Sequence, residues 1–305
     1  MLSCILDLER GGEVSEQHRD AAALMAFLQC FDMRVDPALA LYEYAAPHGS
    51  ESSQAQLRMF CAADNRDPKD WASRALGKAK TLSVRSNSTE GGDADPSVDF
   101  VMPLIRWRRN YAHRLKIAEI ELHGGQAKKQ MDEYLDWAFR LFQLGGPQIG
   151  LASLLFAPSA PRRGLSQGLR STNRGRAVEC VRRATWDMTL RSRYTKPIQR
   201  QAQENHVVFL CSFDAGLKRV ARGIAGSPEA IEMFWQSLWG ARLGIEYHAQ
   251  IAWMYGNIKH PLRPPAISDV SWGVDDFICA GEGAVTGWRA HAEQHAETAQ
   301  YRSVS

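Results

Sequence analysis

An α/β fold built on a parallel sheet is what this sequence predicts, and three observations predict it. Short apolar runs that end at a polar residue recur along the chain: LSCIL (2–6), TLSV (81–84) and HVVFLC (206–211). Helical patterns lie between them. Several open on a start signal, such as Ser15, Asp36-Pro37 or Asp67-Pro68. Strands separated by helices pair in parallel and are covered on both faces.

Taken in order, residues 2–6 are bounded by Asp7 and the Gly11-Gly12 turn, as a buried N-terminal strand would be. Ser15 caps a helix to about Met33, with Ala22, Met25, Ala26, Gln29 and Cys30 at helical spacing. Asp36-Pro37 opens ALALYEYAA, which runs up to Pro47, and Asp67-Pro68 opens another helix through Lys80. TLSV is then the second strand. Residues 85–97, RSNSTEGGDADPS, are polar and without period, so they read as an exposed loop. Helices over about 100–122 and 126–144 flank Gly124-Gly125, and their aromatic residues suit a core better than ligand contacts. Residues 158–176 form a second loop, this one basic. A long helix spans about 175–204, with Pro197 as a kink point, and leads into the strand HVVFLC. The remainder, about 228–258 and 284–300, is helical and tryptophan-rich.

Charge is informative only once it is divided. The chain of 305 residues carries a formal +3, but Arg106–Arg222 holds 22 Lys/Arg against 9 Asp/Glu. The rest holds 15 against 25, so a basic middle lies between acidic ends. That asymmetry fits a polyanionic partner; equally, the two parts could neutralise each other inside the fold. The six cysteines, at 4, 30, 61, 180, 211 and 279, contain no CxxC pair and suit neither a zinc knuckle nor a disulfide scaffold. Reduced thiols in a cytoplasmic protein are the expectation. The apolar run before Asp7 is too short for a signal-peptide core, and no stretch is long and apolar enough for a bilayer span.

Chemistry in an open parallel sheet collects beyond the carboxyl ends of the strands, and Asp7 and Asp214 take those places. Glu43, in LALYEYAA, and Asp187, in RRATWDMTL, are carboxylates among residues that a core would want. Each has a plain alternative. Asp7 could close a strand-end turn, and Asp214 could cap the helix that follows it. Asp187 could pair with Arg183 or Arg191 at helical spacing, and Glu43 with a cation elsewhere. If the four converge, they form a site for Mg²⁺ or Mn²⁺, because hard cations take oxygen ligands and the clustered acids repel one another without them.

In this order and spacing, CILD (Asp7), LYEYA (Glu43), ATWDMTL (Asp187) and LCSFDAGLKRVA (Ser212, Asp214) resemble the PIN-like nuclease family. The resemblance implies a three-layer core made of residues 1–84 and 174–225. Residues 85–173 would be a helical, basic insertion, and 226–305 a helical C-terminal extension. It implies one or two Mg²⁺ or Mn²⁺ ions held by Asp7, Glu43, Asp187 and Asp214, and hydrolysis of RNA or, less often, of structured DNA. Ser212 would orient Asp214 or the scissile phosphate. Glu9 could replace or join a ligand, since Asp7-Leu8-Glu9 stands where the family carries Asp-Thr/Ser-Asn. An inhibitor or defence-system partner protein, and a homo-oligomer, are compatible with that reading. A faint likeness of Asp7-Leu8-Glu9 to haloacid-dehalogenase-like phosphatases lacks the Ser/Thr and Lys which that chemistry needs.

Arg162, Arg163, Arg170, Arg174 and Arg176 form an arginine-rich segment suited to phosphate contacts, because guanidinium groups bind phosphate bidentately. A solvated loop with no partner is the alternative. Trp107, among Arg106, Arg108 and Arg109, could stack on a base, but a core tryptophan with outward arginines is the better reading. The non-enzymatic alternative for the whole chain is a catalytically silent scaffold that binds RNA or a protein partner.

Overall fold

LSCILDLE forms a helix, α1 (Leu2–Glu9), where the sequence predicts a strand. A five-residue apolar run has no period of its own. What decides the matter is that Leu8, beyond Asp7, is buried together with Cys4 and Ile5, at the i+4 and i+3 spacing of one helix face. The computed structural model describes residues 1–12, 15–82, 99–101, 104–159, 168–204, 211, 213, 228–257 and 273–302. Twelve helices and no strand occur among these residues. The predicted α/β class with its parallel sheet is therefore corrected to a helical architecture. Thr81 and Leu82 of TLSV are not in a strand, and residues 206–210 of HVVFLC lie outside the described residues.

The chain divides into two compact units, Met1–Pro103 with Cys211–Phe213, and Leu104–Leu210 with Asp214–Ser305. In the first, α2 (Glu16–Cys30) starts as expected at Ser15. Its hydroxyl accepts from the His18 backbone N–H, while the Ser15 N–H donates to His18 Nδ1 at 3.3 Å. Asp36 Oδ1 accepts from the Ala38 N–H at the head of α3 (Ala38–His48), which runs one residue past Pro47. Gly49, at φ 85°, separates α3 from α4 (Ser50–Asp64). Asp67 caps α5 (Pro68–Ala75) through the Lys69 N–H at 2.8 Å, although this helix stops well short of Lys80. Trp71, fully buried, holds α5 in a core shared with α1, α2 and α4, and donates to the Ala63 carbonyl. Phe213 packs against the same core.

In the second unit, α6 (Ile105–His123) and α7 (Ala127–Arg140) meet at Gly124 and Gly125, both at positive φ. The next helix, α8 (Gly146–Phe156), is not resolved as a separate element by the sequence pattern. GPQIGLASLLF is apolar all round, and Pro147 through Phe156 are buried, as befits a central helix. The predicted long helix appears as α9 (Arg174–Glu204) and passes through Pro197. The tryptophan-rich region forms two helices, α10 (Pro228–Trp239) and α11 (Ala241–Asn257), joined at Gly240. The chain's last helix is α12 (Val274–Arg302). Around α6, contacts from Arg106 to Ser192, Asn110 to Thr189 and Arg170 to Glu121 run α9 antiparallel to it. Contacts from Tyr111 to Glu282 and from Trp288 to Leu122 run α12 parallel to it.

Candidate functional site

Three of the four acids expected to meet are among the described residues, and they divide between the two units. Asp7 lies on α1, half exposed, with Arg10 Nη1 3.3 Å from one carboxylate oxygen and His18 Nε2 3.7 Å from the other. Glu43 is exposed on α3, also in the first unit. Asp187 is partly buried on α9 in the second unit. Asp214 and Ser212 lie outside the described residues. Glu9, the expected additional ligand, has both oxygens on one guanidinium: Arg66 Nε at 2.6 Å and Nη2 at 2.8 Å. Those side chains are nearly buried, and the bidentate pair commits the carboxylate to structure.

Asp187 acts electrostatically on a cation that spacing along its own helix does not suggest. Arg114, on α6, is fully buried. Burial pushes its guanidinium below the ordinary value, and the Glu121 carboxylate, the Cys180 sulfur and the Asp187 carboxylate push it back up. Arg114 thus lies within electrostatic reach of Asp187, where the ion-pair alternative names Arg183 or Arg191. Arg183 instead pairs with Glu179 at 3.3 Å. Among the described residues, no three His, Cys, Asp or Glu side chains form a group that could hold a metal ion. A Mg²⁺ or Mn²⁺ site is therefore not assembled from them.

The predicted phosphate-binding arginines also divide. Arg162 and Arg163 lie outside the described residues. Arg170 is exposed and donates to the Glu121 carbonyl at the end of α6, so its charge meets no counter-charge in that bond. Arg176 is exposed on the first turn of α9. Arg174 is turned inward. It donates to the Leu169, Ser171 and Val285 carbonyls, and its guanidinium lies 5.1 Å from the Trp288 ring. It clamps the start of α9 to α12 and is not presented to solvent as a phosphate arm.

A second group of cations stands at the other end of the α6–α9 pair. Arg106 and Arg109 are exposed one turn apart on α6, and Arg106 donates to the Ser192 carbonyl at 2.7 Å. Arg193, the next residue of α9, is exposed beside it. Trp107 takes the core role expected of it, stacked on Tyr111 at 4.8 Å between ring centroids and packed near Trp186. The basic middle of the chain is also partly neutralised from within. Arg108 pairs with Asp275, and Arg182 with Glu282 at 2.9 Å, so α12 supplies acid to both helices.

Sequence reasoning missed the buried polar seam beneath this face. Asn110 Nδ2 donates to Thr189 at 2.9 Å, and Gln148 of α8 bonds to Asn110. His113 is fully buried, with Nδ1 3.0 Å from the Tyr134 hydroxyl and an edge-on contact with Trp137. A signal was present: Asn110, His113 and Arg114 occupy the i, i+3, i+4 positions of a helix face. Comparison with protein-family models, with curated proteins and with solved structures finds no match to this chain. No helix among the described residues is long and apolar enough to cross a membrane.

Proposed function

We propose that this chain binds nucleic acid, RNA in preference to DNA, through the exposed arginines of α6 and α9. The observation that carries the reading is the placement of Arg106 and Arg109 with Arg193 at one end of that helix pair, and of Arg170 and Arg176 at the other. The phosphate backbone dominates nucleic-acid affinity, and Arg106 and Arg170, bonded to carbonyls, keep the charge that phosphates require. Trp107 is engaged in the core, so the contact is with the backbone more than with stacked bases. The test is binding of a labelled single-stranded oligoribonucleotide to wild-type protein and to Arg106→Ala/Arg109→Ala. The variant binds several-fold more weakly, with a shallower dependence on salt. Equal affinities would refute this face.

Phosphodiester hydrolysis with Mg²⁺ or Mn²⁺ is the second reading, and one observation favours it. Phe213, between Ser212 and Asp214 in sequence, packs against the core that includes Ile5, Leu6 and Leu8 around Asp7. Phe213 and the helix that carries Asp7 thus share one apolar cluster. Under this reading, purified protein degrades RNA only with the divalent ion, chelation stops it, and Asp7→Asn or Asp214→Asn abolishes it with the fold intact. RNA that is bound equally with and without metal, and never cut, leaves the binding reading alone.

A further inference from the structure

The seam that joins α12 to α6 and α9 is half apolar and half ionic. On the apolar side Val285 is fully buried, Ile278 and Trp288 pack against the same cluster, and Gly281 lies where a Cβ would come within 2.6 Å of Leu115 Cβ. The Trp288 indole N–H donates to the Leu122 carbonyl at 3.0 Å, closing the end of α6. These contacts keep α12 in place. On the ionic side Asp275 meets Arg108, and Glu282 accepts from Arg182 at 2.9 Å and from the Tyr111 hydroxyl at 2.6 Å. Arg182 Nε donates in turn to the Tyr111 oxygen at 3.3 Å. Both ion pairs reach solvent: Asp275 is 71% exposed and Arg182 49%. Exposed pairs of this kind are weak, and a guanidinium exchanges one anionic oxygen partner for another at little cost.

We infer that α12 is a built-in competitor for phosphate: Asp275 and Glu282 occupy Arg108 and Arg182, and so lower the affinity of the α6–α9 face for nucleic acid. This rests on the nucleic-acid reading above and adds its regulation. The exchange needs only side chains to swing away, because the apolar half of the seam holds the helix. Arg108 adjoins Arg109 and Arg106 in sequence, so releasing it extends an existing basic group. Each arginine that gains a phosphate releases counterions, which steepens the salt dependence.

The experiment measures fluorescence anisotropy of a labelled 20-nucleotide oligouridylate with the full-length chain, from low to moderate NaCl. Wild type is compared with Asp275→Asn, Glu282→Gln and the double variant. The double variant binds about five- to tenfold more tightly at 0.1 M salt, with a log–log salt slope steeper by about two. Adding Arg108→Gln and Arg182→Gln to it returns the affinity to the wild-type value or below. Should Glu282→Gln melt early, Asp275→Asn alone decides, since its exposed carboxyl holds little structure. If wild type binds and the neutralised variants bind no better, the competitor role is wrong and the nucleic-acid reading stands. The competitor role also fails if Asp136→Asn, whose carboxylate meets Arg140 of its own helix and neither Arg108 nor Arg182, tightens binding equally, for then net charge alone is at work. If no form of the protein binds the oligonucleotide, the nucleic-acid reading itself has failed.

Discussion

His113 shows how one buried side chain ties stability to pH. Burial lowers its pKa from 6.5 to about 3, so the folded chain keeps it neutral across that interval. The unfolded chain takes a proton below about 6.5 and therefore binds more protons there. Stability is fully present above that value and is lost as pH falls toward 3. Thermal melts from pH 7.5 down to pH 4 will show a decline that is shallower in His113→Gln, which does not titrate. The Glu9–Arg66 pair makes a sharper prediction. Its side chains are 11% and 8% exposed, so Arg66→Met leaves a nearly buried carboxylate without its bidentate partner. The expected loss is about 3 kcal/mol by urea denaturation, at the lower end for breaking such a pair. These two residues were legible unequally. Glu9 stood out as an acid after an apolar run, and spacing offered no hint that Arg66 would claim it.

Helices whose starts are encoded locally were the legible ones. Ser15 and Asp67 satisfy backbone N–H groups within three residues of themselves, so the sequence alone places their helices. α1 and α8 were not legible, because a short or uniformly apolar run carries no period to separate helix from strand. At this scale Gly281 is the position to test. An alanine there would gain in helix propensity, yet its Cβ would stand 2.6 Å from Leu115 Cβ. The clash wins, because a packed seam cannot yield a full ångström cheaply. Gly281→Ala is expected to cost about 1–3 kcal/mol in a thermal or chemical melt. Adding Leu115→Ala should relieve little of that cost, since alanine keeps the Cβ at 2.6 Å and removes only the contacts at 3.2 and 3.4 Å.

For the molecule as a whole, the uneven charge along the chain has two outlets. Part is spent on internal pairs between α12 and the helices α6 and α9, and part remains on exposed arginines. The proposed binding depends on the second part. Replacing Arg106 and Arg109 by alanine should lower the salt slope of RNA binding by about two, one for each lost phosphate contact. A slope that does not change would place the phosphates elsewhere. The division into two units also bears on the acids. Asp7 and Glu43 belong to the first and Asp187 to the second.

By itself the sequence determined the helix starts at Ser15 and Asp67, the basic middle with its acidic ends, and Trp107 as a core residue. Each rests on neighbours a few positions apart, or on composition, and needs no knowledge of the fold. Only the tertiary structure decided which acid met which cation. Arg66 reaches Glu9 across 57 positions, and Arg108 reaches Asp275 across 167. Such pairings depend on how helices are laid against one another, and that follows from burying apolar faces that helical or strand periodicity alone did not reveal here.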